Sequence, residues 1–245
     1  MYQQFARYYD EFTTNVDYAR RARYFDSLIA QFGCGKGILL DLACGTGSLS
    51  FAMEALGYDV IGADNSAEML DTAMEKKIEK NSAVMFLNQD MEALDLFGTV
   101  TSTICALDSL NHLENIETVQ QVFEKVSLFT EPGGVFIFDV NTLYKHTELL
   151  GNQAFVFESE DCFLTWQNEL CEDNSVNMYL DFFVPQGESY RRESEFIKEY
   201  YYSDERLQSA AQNAGFLLCG VFDDLSMQQP QETGERKIFV FKKKG

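Results

Sequence analysis

The chain has 245 residues, with 19 Lys and Arg against 39 Asp and Glu, which gives a formal net charge of −20 at pH 7. This charge repels nucleic-acid phosphates and anionic lipid, so it argues against nucleic-acid and membrane partners. An ordinary globular composition, 46% hydrophobic and 24% charged, together with this length predicts one large domain or one domain with an insert.

The start of the chain and its cysteines predict a cytoplasmic protein. No basic segment followed by an apolar run opens the sequence, so no secretory signal is expected. No apolar stretch approaches the roughly 18 residues that a transmembrane helix needs. The six cysteines include no CxxC pair, and the chain has only two histidines. We therefore expect reduced thiols and no metal site.

Strands alternate with helices along the first 142 residues. After a polar and aromatic N-terminal segment, helical spacing predicts helices at about 18–32, 48–56, from 65 onward and 116–129. Asn65 is expected to cap the third of these, with Glu68 three residues later. Apolar runs predict strands at 37–42, 58–63, 83–87, 100–107 and 135–140, with a turn at 132–134. This alternation is typical of parallel βαβ units in a sheet that is covered on both faces.

The pattern changes after about residue 150. Apolar and polar residues alternate over 162–167, 176–182 and 191–202, with a turn at Asp173 and Asn174, which predicts antiparallel strands with one wetter face. Ser203 then caps a helix that Gly215 ends, and two strands follow at 216–222 and 237–241. His146, between the two patterns, is expected at the surface.

The segment ILLDLACGTGSLS, residues 38–50, carries the strongest functional signal. A buried strand ends at Asp41 and Leu42, and Gly45 and Gly47 would let a ligand approach the loop backbone closely. Asp64 ends the next strand and could accept hydrogen bonds from two ribose hydroxyls. A nicotinamide dinucleotide would also fit such a loop, but its fingerprint places Gly or Ala where this chain has Ser48 or Ser50. A carboxylate at Asp41 instead suits a ligand that carries positive charge.

The motifs DLACGTG, GADNSAEML (62–70) and NQDM (88–91), together with FARYYD near the start and LDSLNHL (107–113), resemble class I S-adenosylmethionine-dependent methyltransferases. The branch they resemble is a bacterial small-molecule type. The resemblance implies an α/β fold: a Rossmann-like, mostly parallel sheet of seven strands with helices on both faces and an antiparallel last strand. Residues 1–142 and 203–245 would form the methyltransferase core with an N-terminal lid, and 143–202 an antiparallel β insert for the acceptor.

The resemblance also implies a set of residues that bind S-adenosylmethionine. Ala43 stands where the family often has Gly. The implied set comprises Asp41, Ala43, Gly45 and Gly47 along the methionine part, Asp64 and Asn65 at the ribose, Asp90 and Met91 at the adenine, Leu107 and Asp108 under the methionine end, Tyr9 and Tyr18 from the lid, and Met69.

The acceptor side is less specific. His112 is a candidate general base because its ordinary pKa lies near neutrality, although methyl transfer often needs no strong base. The aromatic residues of the insert are expected to line the acceptor pocket or, alternatively, to pack the small sheet or a homodimer contact.

The expected function is methyl transfer to a small molecule by in-line displacement, without a metal. The alternatives are a non-catalytic cofactor-binding regulator, an RNA methyltransferase and a nicotinamide-dependent oxidoreductase. A group of polar residues near the sheet edge argues against a lost acceptor pocket: Asp108, Ser109, Asn111, Asn141 and Thr142.

Overall fold

A computed structural model of the protein describes residues 5–159 and 161–245. The helices in this part are α1 (Phe5–Phe12), α2 (Tyr18–Phe32), α3 (Ser48–Ala55), α4 (Ala67–Lys80), α5 (Ile116–Phe129) and α6 (Asp204–Asn213). The strands are β1 (Ile38–Leu42), β2 (Asp59–Asp64), β3 (Met85–Asn88), β4 (Val100–Cys105), β5 (Thr130–Asn141), β6 (Ala154–Glu158), β7 (Phe163–Leu170), β8 (Val176–Gln186), β9 (Ser189–Glu199), β10 (Phe216–Asp223) and β11 (Arg236–Lys243).

The larger sheet has seven strands in the order β10-β11-β5-β4-β1-β2-β3. The strands from β5 to β3 run parallel, and β11 is inserted antiparallel between β5 and β10. Alternate residues of β5 serve opposite faces: Phe136 and Phe138 join the core under α5 and α6, while Val135 and Ile137 join the core under α2 and α3. The predicted doubly wound sheet with helices on both faces is therefore confirmed, and its strand order reverses between β1 and β4.

The second sheet has four antiparallel strands in the order β6-β7-β8-β9. Its buried face includes Leu164, Leu180 and Phe182, which pack with Tyr8 of α1 in a separate apolar cluster. The predicted antiparallel insert is confirmed, and Asn174 takes a left-handed conformation in the β7–β8 turn with φ 62°.

Several local predictions differ from the structure. Ser66, not Asn65, caps α4, because its hydroxyl accepts a hydrogen bond from the Met69 amide at 3.2 Å. The strand β5 begins at Thr130, before the predicted turn, and its pairing with β4 shifts register there. A short π-helix over Lys145–Leu150 and the strand β6 carry no clear signal in the sequence. In the described part of the chain, no helix combines the length and apolarity required to cross a membrane.

Candidate functional site

One cavity of about 470 Å³ opens at the carboxyl edge of the parallel strands, where doubly wound sheets bind ligands. The described residues that line it come from the loops after β1, β2, β3 and β4, from the N-terminal segment and from β9. They are Tyr9, Tyr18, Asp41, Ala43, Cys44, Gly45, Thr46, Ser48, Leu49, Asp64, Asn65, Met69, Asp90, Met91, Glu92, Ala106, Leu107, Ser109, His112, Leu113, Glu114, Phe196, Lys198 and Tyr200.

The loop after β1 has a conformation that depends on left-handed residues. Ala43, Gly45 and Gly47 have φ values of 59°, 53° and 75°. A Cβ on Gly45 would meet only the Met69 sulfur, at 4.0 Å, so this glycine leaves open space toward the cavity. A Cβ on Gly47 would lie 2.7 Å from the Phe86 ring, so Gly47 is required by packing and is not among the described residues that line the cavity.

Asp64 connects the loops after β1 and β2. Its Oδ2 accepts a hydrogen bond from the Gly45 amide at 2.8 Å, and its Oδ1 accepts one from the Ser66 amide at 2.9 Å. Burial raises the pKa of Asp64, while these main-chain donors oppose the shift. The carboxylate therefore fixes the loop geometry and also faces the cavity.

Asp41 lies deeper, at the end of β1, and is almost completely buried. The Ser50 hydroxyl donates a hydrogen bond to its Oδ2. Burial raises the pKa of Asp41 to about 7, and the neighbouring Asp64 charge acts in the same direction. A cationic ligand in the cavity would favour the ionised form.

Asp90 and Asn65 form the opposite rim of the cavity. The Asn65 amide donates to Asp90 Oδ2 at 3.4 Å, and Asp90 Oδ1 accepts from the Glu92 amide at 3.0 Å. Met69 and Met91 also line the cavity, and the Met69 sulfur lies next to Gly45 of the loop after β1. This end of the cavity thus offers a flat ligand both apolar contacts and a carboxylate.

Leu107 and Asp108 form a strained turn after β4, since both are non-glycine residues with φ near 60°. Buried Asp139 holds this turn by accepting hydrogen bonds from the Leu107 amide at 2.9 Å and the Asp108 amide at 2.7 Å. Leu107 faces the cavity, whereas Asp108 is not among its described lining residues. Asp108 instead pairs with Arg236 at 2.7 Å, and this guanidinium keeps the pKa of Asp108 well below its usual range despite burial.

Helix α1 contacts the loop after β1, helix α4 and the second sheet. On the core side, Asp10 pairs with Lys76 of α4 at 2.5 Å and accepts a hydrogen bond from the Thr46 hydroxyl at 2.8 Å. On the insert side, the ring of Tyr8 stacks on Phe182 with centroids 6.0 Å apart. Tyr9 of α1 and Tyr18 at the start of α2 line the cavity, and burial raises the pKa of both phenols. We call the contacts of Asp10 with Lys76 and Thr46 the latch.

A second buried polar cluster joins the core to the insert behind the cavity. The Asn141 amide donates to Asp108 Oδ2 at 3.0 Å and to Glu199 Oε2 at 2.7 Å. Asn111 donates to the Tyr200 carbonyl at 2.8 Å. Burial raises the pKa of Glu199 to about 8, and the nearby Asp108 charge adds to the shift. Glu199 therefore keeps its proton at neutral pH and can share it with Asp108.

The predicted surface position of His146 is wrong, because its side chain is completely buried beside this cluster. Its Nδ1 lies 2.9 Å from the Asn174 carbonyl, and its Nε2 lies 3.6 Å from Glu199 Oε2. Burial lowers the pKa of His146, so the imidazole is neutral at physiological pH. Its side chain connects the π-helix to the β7–β8 turn and to the end of β9.

His112 lines the cavity next to this cluster, and burial lowers the pKa of its imidazole while the Asp108 charge opposes the shift. One potential ligand atom from each of Asp108, His112 and Glu199 lies within 4.8 Å of the others. A cation fits this set poorly, because Arg236 already pairs with Asp108 and the Glu199 carboxyl is protonated. All six cysteines are free thiols, and burial raises the pKa of Cys44 in the loop, as expected for an unreactive filler.

The structure brings most of the predicted site residues to one cavity. Twelve of the fourteen line it, and the exceptions are Gly47 and Asp108. Phe196 is one of the insert aromatic residues expected at an acceptor pocket, and it lines the cavity. The residues that sequence reasoning missed come from the insert and from packing contacts: Lys198, Tyr200, Glu199, Asp139 and Arg236. The alternation along β9 could have identified Glu199. It lies two residues after the apolar Ile197, on the same face of the strand, so the pattern predicts a buried carboxyl there.

A doubly wound sheet with this strand order, a glycine loop after β1 and carboxylates ending β1 and β2 defines the class of Rossmann-like methyltransferases. Comparison with known proteins agrees. A family model described as a methyltransferase domain matches residues 39–134. The Bacillus subtilis (strain 168) protein YqeM, which is named as a methyltransferase, is 32% identical over 245 residues and is aligned over 99% of this chain and 97% of its own length.

Solved structures agree as well. An S-adenosylmethionine-dependent methyltransferase from Clostridium acetobutylicum ATCC 824 matches with a TM-score of 0.89 at 30% identity, over 100% of this chain and 99% of that one. The sugar N-methyltransferase KedS8 from Streptoalloteichus sp ATCC 53650 shares the fold, with a TM-score of 0.80 at 21% identity over 97% and 93% of the two chains. The chain therefore belongs to the class I S-adenosylmethionine-dependent methyltransferases and is an enzyme with that cofactor. The open space at Gly45 and the carboxylates Asp41 and Asp64 fit a ligand with cationic groups and a ribose.

Glu199 makes the stability of the fold depend on pH. Between pH 4.5, the ordinary pKa of a glutamate, and about 8, folded Glu199 holds a proton that the unfolded chain has released. Stability therefore falls as pH rises through this window, by on the order of 5 kcal/mol in total. Glu199→Gln keeps a hydrogen-bond donor toward Asp108 and removes the titration, so we expect its free energy of unfolding to fall less over this range.

Urea unfolding at pH 5, 6.5 and 8 measures this effect. Exposed Glu79→Gln is the control and should follow the wild-type protein. Asp41 titrates in the same pH range in every variant. The difference in pH slope between Glu199→Gln and wild type therefore reports Glu199 alone. Identical pH slopes for Glu199→Gln and wild type would show that Glu199 is ionised in the folded protein.

The latch should slow the release of cofactor. Asp10→Asn keeps the shape of the side chain but removes the charge opposite Lys76, and a half-exposed pair of this kind contributes up to about 1 kcal/mol. We expect S-adenosylhomocysteine to dissociate about two- to fivefold faster in stopped-flow fluorescence. Asp71→Asn, an exposed carboxylate on α4, is the matched control and should leave the rate unchanged. An unaltered rate in Asp10→Asn would mean that α1 does not limit release.

Proposed function

We propose that the protein transfers the methyl group of S-adenosylmethionine to a small-molecule acceptor by in-line displacement. The observation that carries this proposal is that one cavity is lined both by the loops of the core and by Phe196, Lys198 and Tyr200. Its volume of about 470 Å³ lies in the range of small-ligand sites. The shared fold with a sugar N-methyltransferase is consistent with a small-molecule acceptor.

The roles of the cofactor-end residues follow from their positions. Bound S-adenosylmethionine supplies an activated methyl carbon on a sulfonium. Asp41 and Asp64 place carboxylates where an ammonium and ribose hydroxyls need acceptors, and Gly45 admits the ligand to the loop backbone. Asp90, Asn65, Met69 and Met91 form the adenine side, and Ala43 and Leu107 line the methionine side. Gly47 and Asp108 support this site through the loop and the turn.

The insert provides the acceptor side. We propose that residues 143–202 act as an acceptor subdomain on a core of residues 1–142 and 203–245. Its strand β9 reaches the cavity, and its buried face packs against Tyr8 of the lid. Tyr9 and Tyr18 lie between the two parts and separate the reacting groups from water.

His112 is placed to accept a proton from the acceptor. It lines the cavity on the side of β9, and burial keeps its imidazole neutral. A neutral imidazole has a lone pair on one ring nitrogen, and the tautomer decides which nitrogen carries it. Proximity and orientation supply most of the acceleration of methyl transfer. His112 therefore assists a reaction whose electrophile is already activated.

The alternatives are weaker. The polar residues near the sheet edge do not discriminate against a non-catalytic regulator, because only Ser109 of that group lines the cavity; Asn111 and Asn141 hold the insert. The insert residues in the cavity are what favour an acceptor. RNA methylation is opposed by the net charge of −20 and by the carboxylates of the cavity, including Glu92 and Glu114.

Asp64→Asn tests the cofactor end. The amide keeps one acceptor oxygen for the loop but loses the charge that strengthens hydrogen bonds to ribose, each worth roughly 1.5–3 kcal/mol. We expect at least tenfold weaker binding of S-adenosylmethionine by titration calorimetry, with an unchanged circular dichroism spectrum. Exposed Asp71→Asn should bind like wild type. Unchanged affinity in Asp64→Asn would remove Asp64 from the cofactor site.

Methyl transfer itself is tested with S-adenosylmethionine labelled in the methyl group. The purified enzyme is incubated separately with a fractionated small-metabolite pool and with total RNA, and labelled product is identified by mass spectrometry. Label in small molecules supports the proposal. Label in RNA alone supports the RNA alternative, and no transfer from a protein that binds the cofactor supports the regulator.

A further inference from the structure

The cavity has an unusual distribution of charge. Lys198 is the one Lys or Arg among its described lining residues, which include the carboxylates Asp41, Asp64, Asp90, Glu92 and Glu114. Three of these carboxylates end or follow β1, β2 and β3 at the cofactor end, whereas Lys198 enters from β9 at the other end. Lys198 therefore gives the β9 side of the cavity a positive charge that the cofactor end lacks.

Alternation along β9 brings Lys198 to the cavity. Phe196, Lys198 and Tyr200 face it, while Ile197 and Glu199 point to the buried side. The Lys198 ammonium lies 4.8 Å from the centroid of the Tyr200 ring. Within residues 5–159 and 161–245, no carboxylate forms an ion pair with this ammonium. Side-chain and main-chain hydrogen bonds from Ser175 lower the pKa of Asp173 in the β7–β8 turn, and the Lys198 charge contributes to the shift, so Asp173 lies within electrostatic reach but forms no close ion pair with the ammonium. The ammonium therefore remains available to a ligand in the cavity.

An aromatic surface continues from Lys198 to the rim. Phe196 is 50% exposed and contacts Tyr179, which is 45% exposed, with ring centroids 5.3 Å apart. Exposed aromatic rings beside a half-buried cation bind groups that combine an apolar face with negative charge. Phe196 belongs both to this pair and to the cavity wall, so the surface and the cavity form one continuous site.

We propose that the methyl acceptor carries an anionic group, a carboxylate or a phosphate, which Lys198 binds while Phe196 and Tyr200 pack against the adjoining part of the molecule. This inference deepens the proposed function and rests on it. A carboxylate and a phosphate can both pair with the Lys198 ammonium, and titration with benzoate and phenyl phosphate distinguishes them.

Lys198 also connects the proposed anion site to His112, the candidate general base. His112 forms a hydrogen bond with the main chain of Lys198, so the residue that holds the anion also fixes the imidazole. The Tyr200 amide and the Asn111 carbonyl, 2.6 Å apart, tie β9 to the turn that carries His112. An acceptor anchored at Lys198 therefore lies at a defined distance from the turn after β4.

The test measures binding of four probes of similar size to protein saturated with S-adenosylhomocysteine. The probes are phenyl phosphate, benzoate, uncharged benzyl alcohol and cationic benzylamine, titrated by calorimetry. We expect at least one anionic probe to bind about fivefold or more tightly than benzyl alcohol, as an incompletely buried ion pair allows. The stronger of phenyl phosphate and benzoate identifies the anion.

Variants locate the effect. Lys198→Met should abolish the preference for the anion, and Lys198→Arg should keep it within about twofold. Lys77→Met, on the outer part of α4, makes the same change in net charge away from the cavity and should behave as wild type. S-adenosylhomocysteine should bind every variant within about twofold, because Lys198 lies at the opposite end of the cavity.

Three results would overturn the inference: benzyl alcohol or benzylamine binding as tightly as the anions, an anion preference that survives in Lys198→Met, or no binding of any probe. These results differ from failure of the proposed function. That failure appears as absence of methyl transfer to small molecules while the binding of cofactor and probes is retained.

Discussion

The buried carboxylate of Asp139 is the contact on which the site depends. It lies at the end of β5, is inaccessible to solvent, and binds Arg236 of β11 and the two amides of the turn after β4. Arg21 of α2 approaches its other oxygen at 3.5 Å and also pairs with Asp224. A buried charge without such partners would cost several kcal/mol, so these elements must assemble together. The left-handed turn at Leu107 is a consequence of that assembly.

The insert is held by a different kind of contact, one that depends on a proton. Glu199 and Asp108 meet at the junction of the two sheets, and the Asn141 amide donates to both. Arg236 keeps Asp108 ionised. The contact between Asp108 and Glu199 avoids the repulsion of two carboxylates only because Glu199 retains its proton. Helix α1 completes the junction through polar contacts to the core and aromatic contacts to the insert. The lid is therefore coupled to both ends of the cavity.

The cofactor end could be predicted because it is encoded locally. Asp41, Gly45 and Asp64 belong to strand–loop–helix segments whose pattern determines both their conformation and their position at the sheet edge. The capping residue was wrong by one position because Asn65 and Ser66 have equal capping preference, and only the hydroxyl of Ser66 reaches the Met69 amide. His146 was misplaced because its burial is imposed by Asn174 and Glu199, which are distant in sequence.

The acceptor end could not be predicted in the same way, because it exists only where β9 meets the core. Lys198 is one of several charged residues in an alternating strand, and nothing local separates it from Arg191 or Arg192, which pair with neighbouring acids on the insert. What separates it is register: Lys198 lies opposite Asn177 and beside Tyr200, at the one end of β9 that approaches the turn carrying His112. A shift of two residues along the strand, in either direction, would place the lysine charge at the position of Phe196 or Tyr200. A shift of one residue, to the position of Glu199, would bury the charge beside Asp108. The pairing of β8 with β9 thus determines which charge the acceptor meets.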